Sequence, residues 1–301
     1  MTRYQLYGLN VASAFQMDVE ACSAGPSSVV QPDITIRNEP VDLPEMRRGR
    51  IAGTLYHVSN DTIYLHWDNL GSFRIHAGCD ISAMRAPAAP DKLFLRTLTG
   101  SILSIALYQR GRFILHASAV AVDEGAVAFA GDSGYGKSTI ASSLHASGHH
   151  LLADDIAVIQ VGETTHHICP GNQEFKLWPD SVRNLGQEVD NLDRINPDLE
   201  KRLLPVAGGL QREPVPLKSI YILDFADKEG IDLLEPAQAA IELVRNTYGV
   251  TLLHELRTAD YFRQVVRLAQ SVPVCRLRRG KSLEHFDRFL AMVKDHLASR
   301  L

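Results

Sequence analysis

An α/β chain is expected, in which a small β-rich domain over residues 1–90 leads into a strand–helix domain over 91–301. Three observations predict this. The first ninety residues carry short β-type runs, after residue 113 apolar strands alternate with helical periods, and one glycine-rich run stands between such a strand and such a helix.

Taken in order, the β-type runs are YQLYGL, DITIR, GTLYHV, TIYLHW and SFRIHAG, punctuated by Gly, Pro, Asn and Asp, which suggests a small antiparallel sheet. The stretch MRAPAAPD, with Pro87 and Pro90, marks the boundary. KLFLRTLTGSILSIALYQRG then has apolar residues at helical spacing, and Gly111 is placed to follow its C-terminus. FILHASAVAV and GAVAFAG read as strands joined by a hairpin turn at DEG. AVAFAG is apolar almost throughout, as a strand covered on both faces should be. A helix is expected from the glycine run to about Ser147, and HLLADDIAVIQV reads as one strand with two carboxylates in its middle. Later strands are expected at SIYILDF and VPVCRLRR, and helices at PAQAAIELVRNTY, ADYFRQVVRLAQS and LEHFDRFLAMVKDHL.

Composition narrows the classes. With 301 residues, 45% hydrophobic and 22% charged, the chain resembles an ordinary globular protein. A net charge of -4 offers no overall attraction to nucleic acid. Cys22, Cys79, Cys169 and Cys275 lack C-x-x-C spacing, which argues against a zinc cluster or a disulfide framework. The N-terminus has no basic region followed by an apolar run, and SILSIALY is too short to cross a bilayer. A cytoplasmic protein without a membrane partner is the expectation.

The glycine run Gly131-Asp132-Ser133-Gly134-Tyr135-Gly136-Lys137-Ser138 fits G-x-x-x-x-G-K-[ST] and continues into Thr139. In such a loop, glycines let successive backbone N–H groups surround phosphate oxygens, and the following helix adds its positive end. Lys137 supplies charge to the outer phosphates, and the Ser138 hydroxyl suits a Mg²⁺ ligand. ATP and Mg²⁺ are therefore the expected cofactors.

Asp154 and Asp155 follow Lys137 within eighteen residues. As adjacent strand residues they would point to opposite faces and have different jobs, one toward Mg²⁺ and one as proton acceptor from an attacking hydroxyl. The alternative is that one caps a turn and only the other faces the nucleotide. His116 sits on a strand expected beside that of the phosphate loop, where a lone histidine is more often a core or surface residue. Lys201 and Arg202 have a reach toward phosphates but read as a solvated face, and His166-His167 as a solvated loop.

Together, LHASAV with His116, GDSGYGKS and GHHLLADD resemble the catalytic domain of the HPr serine kinase/phosphorylase family. There a histidine precedes the loop and a Gly-His-x-Leu-x-Ala-Asp-Asp segment follows its helix. The resemblance spans roughly residues 96–180. It implies Asp155 as catalytic acid/base with Asp154 as its neighbour, His116 as the histidine assisting that carboxylate, and Ser138 as a metal ligand. Asp154 would then help position the metal, and Lys137 of the loop joins the catalytic groups by offsetting charge on the transferred phosphate. A second metal ligand in that family is the glutamate of a Glu-x-Arg-Gly signature. In QEFKLWPD this would be Glu174, with Lys176 in place of arginine and the glycine-rich continuation missing, which leaves phosphorolysis unsupported. The β-rich front and the PG…LWPD segment also resemble kinases of ribosomal-peptide pathways such as lasso-peptide biosynthesis, which phosphorylate a serine on a precursor peptide.

The resemblance thus implies a serine kinase acting on a protein or peptide, with a homo-oligomer left open because hexamers occur in the family. A small-molecule kinase and a non-catalytic nucleotide-binding module are the alternatives from other classes.

Overall fold

The computed structural model describes residues 1–17, 19, 31–48, 53–123, 125–172, 174–196, 199–206, 211–249, 259–282 and 284–300. Cys22 lies outside them, and Cys79, Cys169 and Cys275 are free thiols. The fold is mixed α/β with several sheets, in two compact units that divide between Arg112 and Phe113.

The first unit holds β1 (Thr2–Leu6), β2 (Leu9–Ser13), β3 (Ile34–Asn38), β4 (Arg47–Arg48), β5 (Leu55–Ser59), β6 (Thr62–Trp67), β7 (Gly71–His76) and β8 (Asp80–Arg85). They form one sheet in the order β1-β2-β3-β8-β7-β6-β5-β4. The antiparallel expectation is corrected here, because β3 runs parallel to both β2 and β8. A parallel neighbour needs a long return connection, which the interval between Ser13 and Ile34 supplies. Alternation is clear in β7, where Phe73 and Ile75 are buried while Arg74 and His76 look outward.

The expected helix at 92–111 is α1 (Asp91–Thr97) and α2 (Leu103–Gln109), joined by a π-helical turn over Leu98–Ile102. Phe94, Leu98, Ile102 and Ala106 are all buried. A four-residue spacing would drift around a regular α-helix, and the wider π turn brings it back onto the sheet. Phe94 stacks on Phe73 with ring centroids 5.3 Å apart, and Gly111 ends the run at a φ of 75°.

The second unit contains β9 (Phe113–Leu115), β10 (Ala117–Val122), β11 (Gly125–Ala130), α3 (Lys137–Ala146), β12 (His150–Ala153), β13 (Ala157–Val161), β14 (His166–Cys169), β15 (Glu174–Leu177), α4 (Pro179–Asn184), β16 (Arg194–Asn196), β17 (Leu199–Pro205), β18 (Val215–Phe225), β19 (Gly230–Leu233), α5 (Pro236–Arg245), α6 (Ala259–Ser271), β20 (Val274–Arg279) and α7 (Phe286–Arg300). β15, β17 and β16 make a small separate sheet.

The long strand β18 organises the main sheet. Near Val215 it carries β14, and through it β13 and β9; farther along it lies parallel to β11 on one side and β20 on the other. Two half-sheets thus share one strand. The expected hairpin is present, with Val122 opposite Gly125. On one face, Val127, Phe129, Tyr221, Leu223 and Leu277 pack against Ile140 and Leu144 of α3 and Phe289 and Val293 of α7.

Two further expectations are corrected. HLLADDIAVIQV is two strands rather than one, because Asp154 and Asp155 form a break between β12 and β13. His166-His167 is not a solvated loop but part of β14: His166 is buried, its Nε2 is 2.7 Å from Ser271 Oγ, and burial lowers its pKa.

Candidate active site

The glycine run leaves the end of β11 and turns into α3. Gly131, Gly134 and Gly136 have φ of 146°, 87° and 100°, a region that disfavours side chains. Gly136 is the N-cap of α3, and no side chain caps that helix. The first-turn N–H groups are therefore left for an outside acceptor. Lys137 is buried and its Nζ donates to the carbonyls of Gly131 at 2.7 Å and Asp132 at 3.0 Å. Burial lowers its pKa to about 8, with Asp155 opposing the shift. An anion exchanged for those two carbonyls would raise that pKa again.

His116 and the acidic pair are brought together by the half-sheets. The chain leaves β9 through His116 to enter β10, and leaves β12 through Asp154-Asp155 to enter β13. Because β9 pairs β13 and β10 pairs β12, the two passages run side by side. Residues at such passages leave the ladder, which frees their side chains for other partners. Asp155 has a φ of 74°, uncommon for a residue with a side chain. His116 Nδ1 is 3.1 Å from both the carbonyl and Oδ1 of Asp155. Lys176 Nζ donates to Asp155 Oδ2 at 3.0 Å.

The two carboxylates meet different surroundings, and strand alternation is not the reason. Asp154 faces inward: it accepts from the Ser118 hydroxyl, from the Lys176 backbone N–H at 2.7 Å, and from Ser138. Burial pushes its carboxyl above the ordinary range, and those donors oppose the rise. Burial also acts to raise Asp155, but the His116 hydrogen bond and the Lys176 charge outweigh it and hold the carboxyl well below the usual range. The Lys176 ammonium is correspondingly raised, burial being more than offset by Asp155. At 27% and 25% side-chain exposure this pair is neither bulk-screened nor sealed.

One cavity of about 220 Å³ collects these groups: His116, Gly134, Gly136, Lys137, Ser138, Thr139, Asp155 and Lys176 line it, together with Trp178, Ser181, Lys201, Arg279 and Lys281. Five cations and only two carboxylates, Asp155 and Asp180, lie on its walls, which suits an anionic guest. A second cavity, of about 400 Å³, touches Gly131, Asp132 and Tyr135 of the loop but none of Lys137, Asp155 and His116. The first is therefore the candidate active site.

Other expected site residues fall less centrally. Ser133 is exposed in the loop, and Asp132 and Tyr135 face the second cavity. Thr139 lines the first cavity, its Oγ1 2.8 Å from Ser181 Oγ. Asp154 does not line the cavity and reaches it through its partners Ser138 and Lys176. Glu174 starts β15 and is not among the lining residues; Lys176, two residues on, is. β10 stands between β11, which leads into the glycine run, and β12, which ends at the acidic pair. Lys201 and Arg202, read as a solvated face, differ from that reading. Lys201 lines the cavity with Nζ 5.5 Å from the Trp178 ring, and Arg202 is buried, donating to the Val189 and Glu200 carbonyls.

Sequence reasoning missed Ser118, Trp178, Ser181 and Arg279. Ser118 carried a usable signal, as it lies two residues beyond His116 at strand spacing. Arg279 belongs to the run RLRRG, whose arginines no motif distinguishes.

Mg²⁺ can be tested against the donors present. Ser138 offers a hydroxyl oriented by a buried carboxylate, the pairing by which P-loop proteins hold Mg²⁺. Among the described residues no cluster of three His, Cys, Asp or Glu forms a cation cage. Mg²⁺ commonly takes one or two protein oxygens plus phosphate and water, so Ser138 with Asp154 behind it fits.

No helix among the described residues is long and apolar enough to cross a membrane. No protein-family model and no curated protein matches the chain. Among solved structures it is similar to the HPr(Ser) kinase/phosphatase from Coxiella burnetii, at 13% identity and a TM-score of 0.32, over 62% of this chain and 97% of that one.

Proposed function

We propose that the second unit is an ATP- and Mg²⁺-dependent kinase that phosphorylates a serine hydroxyl on a protein or peptide. The observation that carries this reading is the placement of an ionised, positioned carboxylate, Asp155, on the same cavity wall system as the glycine loop and Lys137. A module that only held nucleotide would have no use for a carboxylate kept charged in that place.

The loop from Gly131 to Ser138 and the open start of α3 would bind the phosphate chain, and Lys137 would offset charge on the transferred group. Mg²⁺, held by Ser138 and backed by Asp154, would supply charge neutralisation to the phosphate oxygens. The acceptor oxygen attacks the γ-phosphorus while the bond to the departing ADP oxygen breaks. Asp155, with its depressed pKa, is a weak base at rest, so it first accepts a hydrogen bond and thereby aims the hydroxyl. The proton crosses to its carboxylate as the new O–P bond forms and the alcohol becomes acidic. His116 and Lys176 fix the direction of that carboxylate.

The choice of a macromolecular serine rests on the resemblance in sequence motifs. The test is incubation with γ-labelled ATP and, in turn, HPr, ribosomal precursor peptides and free serine. Label on a serine of protein or peptide is expected. Label on free serine alone would move the reading to a small-molecule kinase, and tight ATP binding with no transfer to any acceptor would move it to a binding module.

A further inference from the structure

Arg279 ends β20 and is only 6% exposed, which is rare for an arginine without a partner. Among the described residues its Nε has no hydrogen-bond acceptor and no carboxylate forms an ion pair with it. Burial lowers its pKa, and Glu229 opposes this only through longer-range charge. A buried Nε–H without an acceptor costs stability, so this placement calls for a reason.

Its surroundings supply one. On one side the Phe225 ring holds it, with Cζ 5.1 Å from the centroid, and Phe225 in turn contacts Tyr135 of the glycine loop at 4.5 Å. Gly136 is also close, and a Cβ added there would stand 3.5 Å from Arg279 Cζ and 3.7 Å from its Nη2. The guanidinium therefore lies against the backbone that opens α3, and it lines the cavity that holds Lys137 and Asp155. An aromatic plate behind a guanidinium, with its N–H edge free, presents a fork for paired phosphate oxygens.

We propose that Arg279 is a ligand of the nucleotide's phosphate chain, brought to the glycine loop by the last strand of the sheet and oriented by Phe225. This rests on the phosphate-binding reading above. Lys137 meets the chain from within the loop, and Arg279 meets it from the neighbouring strand. The two cations thus grip the chain from different elements, and Phe225 is a positioning residue.

Arg279→Met, which keeps the stem and removes the fork, tests this together with Arg279→Lys. Affinities for MgATP and magnesium tripolyphosphate are measured by calorimetry, and the melting temperature is taken without ligand. For Arg279→Met both affinities should fall by about 10- to 100-fold, the range for charged hydrogen bonds. Arg279→Lys should recover part of the loss. The melting temperature of the Met variant should hold or rise, since a buried unpaired cation is gone. Affinities within twofold of wild type would overturn the proposal, as would a fall in melting temperature alongside lost affinity, which marks a structural arginine. If the unaltered protein binds neither ligand, the phosphate-binding reading itself fails, an outcome distinct from both.

Discussion

The glycine loop and the Asp154-Asp155 break sit on the same cavity and both bend the backbone to positive φ, yet they are built in contrary ways. The loop uses three glycines, carries out its turn within eight residues and offers donors. The break places a carboxylate in a strained conformation and offers acceptors. Asp155 keeps that conformation because His116, Lys176 and the ladders on either side hold it there. A donor-rich loop can thus be a local property of the chain, whereas the placement of Asp155 depends on segments distant in sequence converging.

The contrast is sharpest in Asp155→Asn. Transfer to an acceptor should fall by about 10²- to 10⁴-fold while MgATP binds no more weakly, measured by label transfer and calorimetry. Equal losses in both would erase the distinction between the two elements. Lys176→Met should come next, lowering turnover by about tenfold. It also has a pH signature. If Asp155 acts when ionised, its depressed folded pKa keeps it ionised and activity intact below the unfolded value of about 3.9, whereas its stabilising contribution, full above that value, is lost progressively as pH falls from there toward the folded pKa. Without Lys176 the carboxyl pKa rises, and the acid limb of a pH–rate profile should move upward.

Lys137 provides the matching test of the loop. Its folded pKa of about 8 lies below that of an unfolded lysine, so the free protein loses this proton as pH rises through that value. Affinity for ATP at pH 9 should be about tenfold weaker than at pH 7, because only the protonated fraction is competent. Binding at pH 9 should also take up a proton, read from calorimetry in buffers of different ionisation heat. For folding the sign is reversed: between pH 8 and the unfolded value this group adds stability as pH rises. Smallest is Gly134→Ala. A Cβ there meets nothing within 4 Å, so only the φ of 87° is penalised, and urea unfolding should show a loss of about 1–2 kcal/mol.

What was legible follows the same division. The loop, its strand and its helix could be read from spacing because each depends on neighbours in sequence, and α3 begins at Lys137 as the motif requires. The late helix at Ala259–Ser271 and the β10–β11 hairpin were likewise local patterns. The break was not legible, since an apolar run with two acids looks the same whether it is one strand or two that belong to different half-sheets. The parallel β3 was hidden because register across a long connection leaves no periodic trace. Lys201 reads as solvated and Arg279 goes unnoticed for a related reason: charge alone does not tell a solvated lysine or arginine from one folded inward.

One consequence of the shared strand β18 reaches beyond the site it helps to build. Two panels joined along a common seam can rock only by bending the places where chain passes between them. Two of those creases carry His116 and Asp155, so any torsion of one panel against the other would change the angle of the Asp155 carboxylate.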